Sequence, residues 1–140
     1  MGGRLISGIV FSGLCLGATA AMSGTAWGVN PADEGTATVV IQGRRFHPER
    51  TILQLGRKTR LVFINRDAEL HAVVPTDLFA GESLNIAGNG APEFGPDGFK
   101  RVVIPPDGTV EIRFAPSKPG EHQYFCDMPG HEMKAVLVVE

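Results

Sequence analysis

Between residues 124 and 134 the chain reads Tyr-Phe-Cys-Asp-Met-Pro-Gly-His-Glu-Met-Lys. This sets a thiol (Cys126), an imidazole (His131) and a thioether (Met133) on one short loop, directly before the apolar run 135–139. Those side-chain types make up a mononuclear copper electron-transfer site, with two His and one Cys as close ligands and a weak axial Met. The second imidazole has to come from elsewhere in the chain, and His71 is the candidate. Thiolate and thioether are soft and favour Cu(I), whereas imidazole accepts both oxidation states. The set therefore suits one copper ion passing between Cu(I) and Cu(II) with little ligand movement.

Other chemistries fit these residues less well. Cys126 beside His131 could act as nucleophile and base, but the loop offers no third orienting group or set of oxyanion donors, and Met133 would have no role. We therefore do not expect an enzyme. Zinc could occupy a Cys and two His, yet structural zinc sites take four strong nitrogen or sulfur ligands, and Met is not one. A bland reading also exists for each residue: Cys126 as an inert core thiol, His71 as a strand histidine, Met133 as core packing. His47, between Phe46 and Pro48, reads as exposed and without function. His122 lies on the same strand face as Cys126 but four residues away, about 13 Å at 3.3 Å per residue, so it cannot share a metal with Cys126. Met128 sits in the turn and is a poor substitute for Met133.

A site of this kind needs a rigid frame, and from residue 36 onward the chain reads as short β-rich runs divided by Gly, Pro, Asn and Asp. Candidate strands are 37–42, 51–55, 59–65, 70–74, 100–104, 109–114, 121–126 and 134–140. Thr109 to Phe114 alternates cleanly, as a strand with one solvated face does, and Leu61-Val62-Phe63-Ile64 is apolar on both faces and reads as central. Turn signals recur at 65–67, 105–108 and 116–120. Regular short strands with such punctuation indicate an all-β sandwich or barrel of about 7–8 strands. Residues 76–99 fall outside the pattern. This stretch is too long for a plain connection and too apolar for disorder, so it should be a packed excursion with one short helix near 77–81.

The first 26 residues run from Arg4 through an apolar segment to small residues at 18–20, the order of parts in a secretory signal peptide. Cleavage is expected near 20–26, leaving a leader and a domain over 36–140. The competing reading is a retained N-terminal membrane anchor, but the apolar stretch is short and rich in glycine for a span of ~20 residues. The net charge of −2, one unit more negative without Arg4, comes with no basic cluster and argues against a nucleic-acid partner. Of the two cysteines, Cys15 would leave with the signal. Cys126 would then be unpaired in an oxidising compartment, which asks for burial or a bound metal.

The chain from about residue 36 to 140 resembles the cupredoxin family, the type 1 blue copper proteins of plastocyanin- and azurin-like kind. The resemblance rests on Phe46-x-Pro48, Gly56 before a long strand, and Asn65-x-Asp67 leading to His71. It continues in Pro119-Gly120 before Tyr124-x-Cys126, and in Pro129-Gly130-His131. Cys126-x4-His131 has azurin-like spacing, but only Glu132 separates His131 from Met133, fewer residues than familiar members place there. The resemblance implies a Greek-key β-sandwich and a metal site of His71, Cys126, His131 and Met133 holding one copper ion. It further implies a periplasmic or secreted, monomeric one-electron carrier that meets its redox partner proteins transiently near His131, Met128 and Pro129, with Phe79 a further candidate for an apolar collar. A periplasmic copper carrier or scavenger using the same ligands is the alternative. A binuclear copper site is excluded by the single remaining Cys.

Overall fold

The computed structural model describes residue 3 and residues 33–140, so the expected signal at 1–26 lies, Gly3 apart, outside the described residues. Eleven strands follow one another: β1 (Gly35–Ile41), β2 (Phe46–His47), β3 (Arg50–Leu53), β4 (Thr59–Asn65), β5 (His71–Pro75), β6 (Asn85–Gly88), β7 (Ala91–Gly95), β8 (Gly98–Ile104), β9 (Thr109–Phe114), β10 (Gly120–Phe125) and β11 (Lys134–Val139). They form a five-stranded sheet in the order β2-β1-β4-β9-β6 and a six-stranded sheet in the order β3-β11-β10-β5-β8-β7. The β1–β4 and β3–β11 pairs are parallel and the rest antiparallel. No helix among the described residues is long and apolar enough to cross a membrane.

Side-chain alternation explains the layering. On β9, Val110, Ile112 and Phe114 point inward and are buried, while Thr109, Glu111 and Arg113 are half-exposed. β4 lies between β1 and β9, and Leu61, Val62 and Phe63 are all buried, as the apolar run requires of a central strand. Tyr124 on β10 packs edge-on against Phe46 and Phe63, with ring centroids 4.8 and 5.7 Å apart, and so ties the two sheets together.

The stretch 76–99 is a packed excursion, as expected, but the short helix near 77–81 is absent. Two turn hydrogen bonds, Ala80 N–H to Asp77 O at 3.1 Å and Glu82 N–H to Phe79 O at 3.2 Å, replace it. The neighbours Leu78 and Phe79 are both buried, and Asp77 gives its carboxylate to His122 at 2.9 Å. The remainder forms β6 and β7, which belong to different sheets, so the chain crosses the sandwich at Gly88-Asn89-Gly90. At positions 88 and 90 nothing larger than glycine fits. A Cβ on Gly90 would lie 2.2 Å from the Val110 side chain and 3.1 Å from Val103 O, and Gly88 has φ +113°. Gly90→Ala should therefore destabilise the fold by roughly 1–3 kcal/mol, the usual range for overpacking a tight site. Urea unfolding would register this as a lower midpoint at an unchanged slope.

Candidate metal centre

The site forms where the six-stranded sheet brings β5 beside β10. Their antiparallel pairing, Tyr124 opposite Pro75 and Phe125 opposite Val74, sets His71 at the start of one strand near Cys126, just past the end of the other. His71 is the first residue of β5 and is completely buried. Cys126 is buried, and its sulfur accepts a hydrogen bond from Ala72 N–H at 3.3 Å.

The loop after Cys126 turns because of its own sequence. His131 N–H donates to Met128 O at 3.0 Å, and Gly130 has φ +76°. Pro129 and Gly130 thus occupy the two central positions of a turn that asks for a fixed φ and then a positive one. Further out, Cys126 N–H donates to Met133 O at 3.1 Å, just inside the Phe125–Lys134 pair that opens the β10–β11 ladder. The loop is closed twice, which returns His131 to the sulfur. Its Nδ1 lies 3.5 Å from Cys126 Sγ, and His71 Nδ1 lies 3.9 Å from the same sulfur.

These three atoms all lie within 4.8 Å of one another. A first-row ion bound to sulfur at ~2.3 Å and to nitrogen at ~2.0 Å, with bond angles between tetrahedral and trigonal, separates those atoms by about 3.5–3.7 Å. The observed separations bracket that range, so the donor set fits a single metal ion. Met133 is buried at the loop's end and shares a pocket wall with Cys126 and His131.

Carboxylates stand behind both imidazoles. His71 Nε2 is 2.8 Å from Asp67 Oδ2, and His131 Nε2 is 3.5 Å from Glu69 Oε2. A carboxylate on the far nitrogen keeps the proton there and leaves Nδ1 free as a donor to metal. Burial pushes the Asp67 carboxyl up, but the N–H groups of Arg44 and Gly43, together with His71, more than offset this and hold it below its ordinary value. The Glu69 carboxyl is held down mainly by its hydrogen bond from Arg44. Beneath them Asn65, fully buried, places its amide nitrogen 2.8 Å from Glu69 O, 3.0 Å from Pro105 O and 3.1 Å from Ile104 O. Its Oδ1 accepts Asp67 N–H at 3.0 Å. On the opposite flank Arg101 of β8 binds Asp127, the residue after Cys126, at 2.9 Å and Glu93 at 2.6 Å.

Of the four residues expected from the sequence, His71, Cys126 and His131 converge, and Met133 lies beside them. His122 stands apart, with Nδ1 on Asp77 and Nε2 2.8 Å from Lys118 O, as a structural histidine. His47 is exposed. Phe79 does not belong to a surface collar: it is buried and packs against Phe114 and Phe99 at 4.9 and 5.6 Å. The His131 side chain is only 5% exposed, so its outer edge meets Glu69 rather than an open apolar rim. Sequence reasoning missed Glu69, Arg44 and Arg101. Glu69, two residues before His71, was the one with a local signal.

A sequence model of the family described as Cupredoxin-like domain matches residues 9–139. Solved structures of the same fold include auracyanin A, a "blue" copper protein from Chloroflexus aurantiacus. It is 18% identical with a TM-score of 0.56, covering 76% of this chain and 99% of that one. Auracyanin B gives 19% identity and a TM-score of 0.56 over 80% of this chain and 93% of that one. The Cu(I) form of an amicyanin variant gives 19% identity and a TM-score of 0.51 over 76% and 83%. No curated protein sequence matches the chain.

Proposed function

The chain belongs to the cupredoxin-like domain family, and from that premise we propose that it is a type 1 copper protein carrying single electrons between redox partner proteins. The observation that carries this reading is the buried triangle of Cys126 Sγ and the Nδ1 atoms of His71 and His131, with Met133 against it. Copper bound there would supply a one-electron couple whose potential is tuned by the axial ligand and by hydrogen bonding at the Cys sulfur. His71, Cys126 and His131 would hold it closely, with Met133 as the weaker thioether ligand. Only Ala72 N–H, among the described residues, donates to that sulfur.

The protein's part is to hold these ligands still. β5 and β10 fix two of them through the ladder, and the doubly closed loop fixes the third. A frame that does not move between oxidation states keeps reorganisation small. Burial of His71 and Cys126, with His131 half-buried beside them, supports electron carriage over a copper-scavenging role, since an exchangeable cargo needs an open path to its ligands. Docking near His131, Met128 and Pro129 would be brief and small in area. We place the protein, as a monomer, in the periplasm or outside the cell after removal of a signal within residues 1–26, and assign the copper domain to 36–140.

Titration of the protein with Cu(II), followed by visible absorption and electron paramagnetic resonance, tests the reading. An intense thiolate-to-copper band with narrow copper hyperfine splitting supports it. A pale complex, or a colourless Cu(I) form with readily exchanged metal, overturns it in favour of the copper carrier. Met133→Leu should raise the reduction potential and alter the spectrum while copper stays bound. Voltammetry of the two proteins side by side checks this, and unchanged values would leave Met133 as core packing alone.

A further inference from the structure

We infer that Arg44, far from the ligands in sequence and named by no motif, is a positioning residue for the metal centre. Its backbone and side chain organise the two carboxylates that stand behind the imidazoles. This rests on the copper reading above, though not on its redox half.

Gln42 and Arg45 exchange backbone hydrogen bonds at 3.1 and 3.3 Å across a two-residue hairpin loop, with Gly43 at φ +61° and Arg44 at φ +55°. Positive φ at both central residues defines the tight hairpin turn that favours Asn or Gly at these positions. An arginine in the left-handed region is unfavourable, and residues held so are commonly kept for a function. The turn aims two N–H groups outward, and both meet one carboxylate: Gly43 N–H to Asp67 Oδ1 at 2.7 Å and Arg44 N–H to Asp67 Oδ2 at 2.9 Å. That carboxylate is the one on His71 Nε2. The Arg44 guanidinium then reaches the second carboxylate in a two-pronged grip, Nε to Glu69 Oε1 at 2.5 Å and the terminal nitrogen to Oε2 at 2.8 Å. Glu69 faces His131 Nε2. One residue of a distant hairpin thereby connects to both imidazoles through separate carboxylates, one hydrogen-bonded to His71 Nε2 at 2.8 Å and the other 3.5 Å from His131 Nε2.

A plain surface ion pair would account for the Arg44–Glu69 contact by itself, since both side chains are partly exposed and such pairs contribute little to stability. It would not account for the choice of arginine at a position where glycine is easier. The two accounts part on one variant. Arg44→Gly keeps the turn and the backbone N–H on Asp67, relieves the positive φ and removes the side chain that grips Glu69.

The experiment compares wild type, Arg44→Gly and Arg44→Lys by Cu(I) competition against a chromogenic chelator and by thermal unfolding of the metal-free proteins. Loss of an outer partner of a metal-bound His typically weakens metal binding 10- to 100-fold. We expect Arg44→Gly to hold Cu(I) roughly tenfold more weakly than wild type, with metal-free stability equal or higher, and Arg44→Lys to recover part of the loss. Equal Cu(I) affinity in wild type and Arg44→Gly would overturn the proposal, as would a loss matched by lower metal-free stability and not relieved by Lys. Absence of a type 1 spectrum in wild type would sink the electron-transfer reading, yet the Cu(I) ratio would still decide the role of Arg44.

Discussion

Cys126→Ser should abolish the intense visible band of the Cu(II)-loaded protein and weaken Cu(I) binding on the order of a hundredfold or more, since it removes the soft anionic ligand itself rather than a residue behind it. The sandwich should survive. Serine is nearly the size of cysteine, and the position is buried where Ala72 N–H can donate to an oxygen as it does to sulfur. Absorption and paramagnetic resonance spectra of the copper-loaded variant, with circular dichroism of the metal-free form, separate the two effects. An intense band retained in the variant would show that Cys126 is not a ligand.

The second large effect is expected at a residue that touches no metal. Asn65 lies fully buried at the end of β4, and one side-chain amide serves three carbonyls and a backbone N–H. Asn65→Ala takes this partner from Glu69 O and Asp67 N–H, whereas Pro105 O keeps Gly108 N–H at 2.9 Å. A buried polar group so stranded costs ~1–3 kcal/mol, and with partial rearrangement the sum should be about 3 kcal/mol. For a domain of this size that lowers Tm by roughly 10 °C. The loss is also local: Glu69 O and Asp67 N–H belong to the segment that leads into His71, so copper affinity should fall along with stability. Calorimetry of the metal-free variant measures the first effect and Cu(I) competition the second. A fall in Tm of only a few degrees would mean that water reaches these carbonyls once the amide is gone.

The ligand loop was legible because its information is local. Pro129 and Gly130 dictate the turn, and Cys126, His131 and Met133 are set by their distance from it. His71 was legible from its position after Asn65-x-Asp67, once the loop called for a second imidazole. The long strands β4, β9 and β11 announced themselves by apolar content or alternation. The strands that were missed, β2, β6 and β7, are short, and β6 and β7 are largely exposed and rich in glycine and polar residues. What makes them strands is a partner already in place, β9 for one and β8 for the other. The same reasoning covers Arg44 and Arg101. Arg44 meets Asp67 and Glu69 across 23 to 25 residues, and Arg101 meets Asp127 across 26. No spacing rule joins such positions; only the packed sheets do. The short helix expected near residue 77 failed for a related cause. Asp77 is drawn off by His122, and Leu78 and Phe79 are both taken into the core, where a helix could bury only part of that pair.

The order of the six-stranded sheet bears on how the protein matures. β11, last in the chain, does not sit at an edge: it lies inside the sheet, parallel to β3 on one side and antiparallel to β10 on the other. Until those residues emerge, β3 has no neighbour in its sheet and β10 has one flank open, so the earlier strands cannot settle by themselves. The same segment begins beside Met133, whose carbonyl closes the loop at Cys126. The strand that completes the six-stranded sheet thus also closes the loop that carries Cys126, His131 and Met133. A chain lacking this strand would present its thiol without the enclosure that the finished pocket provides.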